Sequence, residues 1–245
     1  MADATKYTNK LHSKRVLILG GSSGIGFGVA EASLEHGAHV TISSSSQSRV
    51  DSAVASLTSS YPSAKSRIQG FTANLSTPDL DANIHDLFTK TTNSGKEKLD
   101  HVVFTAGDHL SQVPLVDTTL ETLQKAAMVR FNAPLLTAKH AASFLNPGPG
   151  SSIIITTGSV SEKPIENWAV VGSYAAGAHG MMRGIALDLR PVRCNLISPG
   201  FVDTEMWDHL KGEGAAGGGQ YEKLVEAQKK VTTTGRVANA GDIAE

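Results

Sequence analysis

The sequence predicts an α/β architecture: a doubly wound parallel sheet with helices on both faces, in a single domain spanning 1–245. Three observations carry that expectation. Short β-rich runs alternate with longer helical stretches, several of those runs are apolar throughout, and neither a linker nor an internal repeat divides the chain. Strands that alternate with helices are parallel and joined by right-handed crossovers, which places helices on both faces.

Taken in order, the strand candidates are 15–19, 39–43, 66–71, 101–104, 152–157 and 193–198, each bounded by Gly, Ser, Asn or Pro. Runs such as VLIL and SIIIT lack the polar alternation of a half-exposed strand, so they fit strands covered on both sides. Helical periodicity falls between them, at 24–36, 49–59, 79–92, 119–145 and 170–189. The stretch KGEGAAGGGQ, 211–220, reads as a spacer or as part of a flap over a pocket.

Composition narrows the function classes. Lys+Arg number 22 against 23 Asp+Glu, a net charge of −1, so no electrostatic field favours nucleic acid or an anionic membrane surface. The first residues, MADATKYTNK, lack the apolar core of a secretion signal, and no apolar run approaches the ~20 residues needed to span a bilayer. A cytoplasmic protein is expected. Cys194 is the lone cysteine, in the apolar run VRCNLI, where a buried structural thiol is the expectation. The nine histidines show no metal-ligand spacing, and no metal is expected.

The run VLILGGSSGIG sets Gly20, Gly24 and Gly26 between the first strand and the first helix. Gly20 permits the tight turn, Gly24 lets backbone approach a pyrophosphate, and Gly26 allows the helix to pack closely on the strand. Ser22, Ser23 and Ile25 complete the turn, and the helix N-terminus supplies free N–H groups and a positive dipole end. Strand, turn and helix in this order point to a nucleotide. The second strand then selects which one. It ends TISSSSQSR with no carboxylate, so Ser44, Ser45 and Ser46 can donate to a 2′-phosphate and Arg49 can pair with it, where an acid would repel it. NADP(H) is therefore expected over NAD(H).

The spacing Gly-x-x-x-Gly-x-Gly resembles that of the short-chain dehydrogenase/reductase superfamily, and the resemblance runs through nearly the whole chain. Thr72-Ala73-Asn74-Leu75 resembles the family segment that contacts adenine, and Thr105-Ala106-Gly107 resembles its Asn-Ala-Gly turn. Ser198-Pro199-Gly200, continuing through Val202 to Thr204, resembles the loop that cradles the nicotinamide, and GRVANAGDIAE resembles a late helix. The resemblance implies a Rossmann fold, a small-molecule substrate and a homodimer or homotetramer. It also implies a final strand beyond Glu245 that this sequence does not include.

Chemistry is where the sequence departs from the family. Family members carry an Asn, a Ser and a Tyr-x-x-x-Lys pair, the tyrosine donating a proton to the carbonyl oxygen. Aligned on His179–Arg183 and Ser-Pro-Gly, Val171 stands at the tyrosine position, Ala175 at the lysine and Arg130 at the asparagine. The serine position falls near Gly158, with Ser159 adjacent. Tyr174 lies about one turn beyond Val171, as a packing residue or a displaced donor.

That pattern resembles fungal reductases of bicyclic indole alkaloid biosynthesis, of the malbrancheamide and paraherquamide type. They too lack the Tyr/Lys pair, use NADPH to reduce an iminium, and guide a Diels–Alder closure. Arg130 matches their arginine, which the resemblance places at the active site and beside the cofactor, and KPIENW with Trp168 matches their pocket loop. Their aspartate is unmatched, Ile165 taking its place beside Glu166.

Candidate catalytic residues are thus Arg130, Ser159, Glu166 and Tyr174, with Arg130 alternatively a structural ion-pair partner and Glu166 a solvated loop charge. Asp108 and His109 follow the fourth strand at the carboxyl edge, where open sheets bind ligands; Asp108 and Trp168 are the pocket candidates. Three functions stay open. The first is an NADPH-dependent reductase of imines, iminium ions or activated substrates in secondary metabolism, with a cyclisation role implied by the resemblance. A carbonyl reductase using Tyr174, Ser159 or Ser161 is the second, and a noncatalytic NADP(H)-binding sensor or scaffold the third.

Overall fold

The computed structural model describes residues 8–211 and 219–245. Most of the 211–220 stretch, read above as a spacer or flap, lies outside the described residues. Six parallel strands form one sheet: β1 (Arg15–Leu19), β2 (His39–Ser44), β3 (Ile68–Thr72), β4 (His101–Phe104), β5 (Ser152–Thr156) and β6 (Arg193–Ile197). Their order is β3-β2-β1-β4-β5-β6. Neighbours pair in parallel register, Val16 opposite Val40 on one side of β1 and opposite His101 on the other.

Alternating side chains of each strand feed two cores. Leu17 and Leu19 join Val102, Phe104, Ile153 and Ile155 on one face, while Val16, Ile18, Val40 and Ile42 fill the other. Phe88 and Phe104 rank among the largest fully buried side chains, each contributing about 1.5–3 kcal/mol. Among the described residues strand β6 has only β5 as a neighbour, and its burial alternates accordingly, with Arg193, Asn195 and Ile197 exposed.

Helices α1 (Gly24–Glu35), α2 (Gln47–Ser60), α3 (Leu80–Thr91), α5 (Ala133–Phe144) and α6 (Ala169–Asp188) fall where helical periodicity placed them. Most ends agree within two residues, and two differences have a local physical cause. Ser66 and Arg67 belong to a 3₁₀ turn, Pro62–Arg67, in which Arg67 reaches across to the Leu34 and Ala38 carbonyls at the end of α1.

The single helix expected over 119–145 is instead α4 (Leu120–Ala127), a π-helical turn (Met128–Asn132) and then α5. Pro134 is the cause: it has no N–H for the Arg130 carbonyl, and the Ala133 N–H reaches back five residues to Met128 instead. Arg130 therefore sits in a local widening of the helix. Late in the chain, β7 (Val202–Asp203) pairs with β8 (Ala238–Asn239), α7 (Gln220–Val231) flanks the pocket, and α8 (Ala240–Ala244) is capped reciprocally by Asn239 and Asp242. Among the described residues no helix is long and apolar enough to cross a membrane.

Candidate functional site

Strand order reverses between β1 and β4, and the crevice beyond their carboxyl ends is where an open sheet of this kind takes its ligand. A cleft of about 680 Å³ opens there. Its floor is the β1–α1 turn, held by Gly20 and Gly21, whose N–H groups both donate to the Ser43 carbonyl at 3.1 Å. Helix α1 comes so close behind that a Cβ on Gly26 would stand 2.3 Å from the Gly20 oxygen. No other residue type fits at position 26 without moving the helix off the strand. Gly20, Ser22, Ser23, Gly24, Ile25 and Gly26 all line the cleft.

At the end of β2, Ser44 accepts a hydrogen bond from the Ser22 hydroxyl at 2.9 Å. Arg49, exposed on α2, donates to Ser45 and, through Nε, to Ser46 at 3.2 Å. Ser44, Ser45 and Arg49 line the cleft, whereas Ser46 does not. Its hydroxyl positions Arg49 instead. Asn74 and Leu75 form the next wall, with the Asn74 carboxamide oxygen accepting from Ser76 N–H at 3.0 Å. Thr105 is anchored by its N–H and hydroxyl on the Leu19 carbonyl, and Ala106 and Gly107 continue the lining. A helix N-terminus, serine donors and a guanidinium, with no carboxylate at the β2 end, form a donor set that fits a phosphorylated dinucleotide.

A second cavity, about 770 Å³, adjoins the cleft at Ile25, Thr105, Ala106, Gly107, Thr204 and Met206. Arg130, Ser159, Trp168, Tyr174, Pro199, Gly200 and Val202 all line it. So do Val171 and Ala175, the residues at the family's tyrosine and lysine positions. Val171 is buried, and the Ala175 carbonyl accepts from the Thr157 hydroxyl at 3.1 Å.

Arg130 is paired. Its Nε donates to Asp108 Oδ1 at 3.1 Å, and a second guanidinium nitrogen donates to the Asp108 carbonyl. Its guanidinium lies against Gly107, where a Cβ would be 3.0 Å from Nη2. Burial holds its pKa below the usual arginine range, and the Asp108 carboxylate opposes that shift. Asp108 and His109 line the nucleotide cleft rather than the second cavity.

Two candidates sit differently from the rest. Tyr174 faces the cavity, but its hydroxyl donates to the Leu123 carbonyl at 2.7 Å and its ring packs 5.6 Å from that of Phe131. Glu166 is exposed and lines neither cavity, since the loop turns it outward between Ile165 and Asn167. Ser161, a reserve donor in the sequence reading, stands 3.1 Å from His179 Nε2 and is likewise outside both linings.

Other residues were missed. Phe201, Trp207 and Leu210, with Leu224, Gln228 and Val231 of α7, complete the cavity wall. Trp207 is held by its indole N–H on the Val202 carbonyl at 3.1 Å and by its ring 4.9 Å from Phe201. Only the spacing of Leu224, Gln228 and Val231, one face of an amphipathic helix, hinted at this in sequence. Lys163 was also passed over and lies on the wall. Among the described residues, no group of three or more His, Cys, Asp or Glu is placed to hold a metal ion.

Comparison with known proteins agrees with this geometry. An SDR-like Rossmann domain model matches residues 7–245. The short-chain dehydrogenase/reductase fsr5 of Gibberella fujikuroi is 42% identical over 100% of this chain and 91% of its own. The short-chain dehydrogenase/reductase malC of Malbranchea aurantiaca is 36% identical over 100% and 90%. The solved structure of the MalC reductase/Diels–Alderase from Malbranchea aurantiaca superposes with a TM-score of 0.88 at 35% identity, covering 97% of this chain and 89% of that one. Sheet order, nucleotide turn and full-length similarity together make this chain a member of the short-chain dehydrogenase/reductase family, oxidoreductases built around a nicotinamide cofactor.

Proposed function

We propose that the protein is an NADPH-dependent reductase of fungal-type secondary metabolism whose substrate carbon is already electrophilic: an imine, an iminium ion or a comparably activated double bond. One observation carries this reading. The cavity wall that in the family presents a tyrosine and a lysine here presents Val171 and Ala175, neither of which holds a transferable proton. A ketone reduced at such a wall would leave an alkoxide with no acid beside it, and general acid help is typically worth about 10²–10⁴ in rate. Addition of hydride to an iminium carbon, by contrast, turns C=N⁺ into a neutral amine and needs no proton; an imine enters the same path once water has protonated its nitrogen, and an activated alkene leaves a delocalised carbanion that water protonates afterwards.

The nicotinamide cofactor supplies the hydride. The chain's own residues do the rest. Ser22, Ser44, Ser45 and Arg49 would hold the nucleotide's phosphates, with Arg49 as the partner for a 2′-phosphate. Ile25, Thr105, Thr204 and Met206 form the border between cleft and cavity, with Pro199 and Gly200 on the cavity side. Arg130 braces Asp108 and the Gly107 turn, where the two spaces meet. Position 165 provides no carboxylate for a cyclisation of the relatives' kind: Ile165 is 50% exposed at the cavity rim.

A competing reading, a carbonyl reductase with a displaced donor, is supported by Ser159 and Tyr174 on the wall. Tyr174 would first have to leave the Leu123 carbonyl. Turnover of NADPH with matched panels of cyclic imines, activated alkenes and ketones tests the proposal. Imine or activated-alkene rates should exceed ketone rates by about 10² or more. Comparable ketone turnover that Tyr174→Phe abolishes would establish the competing reading instead.

A further inference from the structure

The substrate cavity carries a charge imbalance that the reductase reading leaves unused. Among the described residues its wall holds no Asp or Glu, yet it holds two cations, Arg130 and Lys163. Arg130 is neutralised by Asp108. Lys163 is not: among the described residues its ammonium makes no ion pair and no side-chain hydrogen bond.

Its backbone is pinned at the same time. The Lys163 N–H donates to the Ser159 carbonyl at 2.9 Å, in the loop that runs along the cavity towards α6. Pro164 and Ile165 follow it in the chain, and elsewhere the same cavity is lined by Trp168, Phe201 and Trp207. Lys163 is itself exposed, so its charge stands at the rim of the cavity, where an ion pair is worth up to about 1 kcal/mol, enough to sort ligands by charge. An iminium ion alone would meet only like charge here.

Resting on the reductase reading above, we propose that the substrate is a bulky, largely aromatic or polycyclic molecule carrying one anionic group, a carboxylate or an ionised phenol or enol, that pairs with the Lys163 ammonium. Such a group makes an iminium substrate neutral overall and reconciles its cation with a wall that has no acid. Lys163 is then a specificity-determining residue. It selects substrate by charge and takes no part in hydride transfer.

Three probes of one shape test this on the NADPH-loaded protein: 4-cyclohexylbenzoate, 4-cyclohexylbenzamide and 4-cyclohexylbenzylammonium. Calorimetry gives their affinities. Both tryptophans of the chain line the cavity, so their emission, excited at the red edge of the band where the probes absorb little, reports entry. The carboxylate should bind at least about fivefold tighter than the amide, a difference of about 1 kcal/mol, with the ammonium weakest.

Lys163→Gln should bring the carboxylate down to the amide's affinity, and Lys163→Glu should invert the order of the charged pair. The amide and NADPH should stay within about twofold in both variants. Equal binding of carboxylate and amide in the wild type would overturn the proposal. So would a carboxylate preference that survives Lys163→Gln. These are binding measurements without turnover. A protein that discriminates the probes by charge but reduces nothing would sink the reductase reading and leave the charge selection standing.

Discussion

The nucleotide cleft and the substrate cavity share six lining residues, yet they are made of different material. The cleft is backbone and small polar side chains: a glycine turn, a helix N-terminus and a row of serines drawn from consecutive strand ends. The cavity is assembled from large side chains of distant segments, from Leu110 after β4 to Val231 at the end of α7. A site built from backbone tolerates little change, because its geometry is the geometry of the fold. A wall built from side chains can exchange its chemistry while the fold stands, and here the Val171 and Ala175 face carries no proton donor. Binding and chemistry are separable on this scaffold.

The sharpest way to break that comparison is to restore what the cavity lacks. Val171→Tyr with Ala175→Lys places a donor and a cation one helical turn apart on a face already lining the cavity. Ketone reduction with NADPH should rise by about 100-fold. If a normally melting double variant gains nothing, the deficit lies elsewhere in the cavity and not at this face.

A smaller effect is expected at the border between the two regions. Arg130→Ala removes the pair with Asp108, whose side chains keep 25% and 35% exposure. That partial solvent contact cuts the roughly 3–5 kcal/mol expected for breaking a fully buried pair to about 2 kcal/mol, read as a lowered melting temperature. NADPH affinity should stay within about threefold while turnover of the substrate falls. Unchanged turnover in the folded variant would make Arg130 a structural brace alone.

The least effect is expected inside the cleft, at a single side chain among many backbone contacts. Wild-type protein should bind NADPH at least about tenfold tighter than NADH, and Arg49→Ala should erase most of that difference of about 1.4 kcal/mol. Calorimetric titration of both nucleotides measures it. Equal wild-type affinities would remove the NADPH assignment and leave the cleft a general dinucleotide site.

What the sequence determined by itself follows from local signals. Strands β1, β4 and β5 are continuous apolar runs, the Gly20–Gly26 turn announces its own strand and helix, and the acid-free end of β2 is a feature of consecutive residues. All six main-sheet strands were legible, as was most of the nucleotide cleft, because parallel packing and phosphate binding both leave contiguous marks. The π-helical turn at Arg130 was not read, although Pro134 was visible, because the amphipathic period continues across it.

Tertiary structure decided the rest. It took Ser46 out of the lining and onto Arg49, turned Glu166 to solvent, tied the Tyr174 hydroxyl to Leu123, and brought Asp108 to Arg130 across 22 positions of sequence. It also placed Trp207, α7 and Lys163 around one cavity. Each of these depends on where a side chain points once distant segments meet. Residue type and spacing do not encode that direction; packing does.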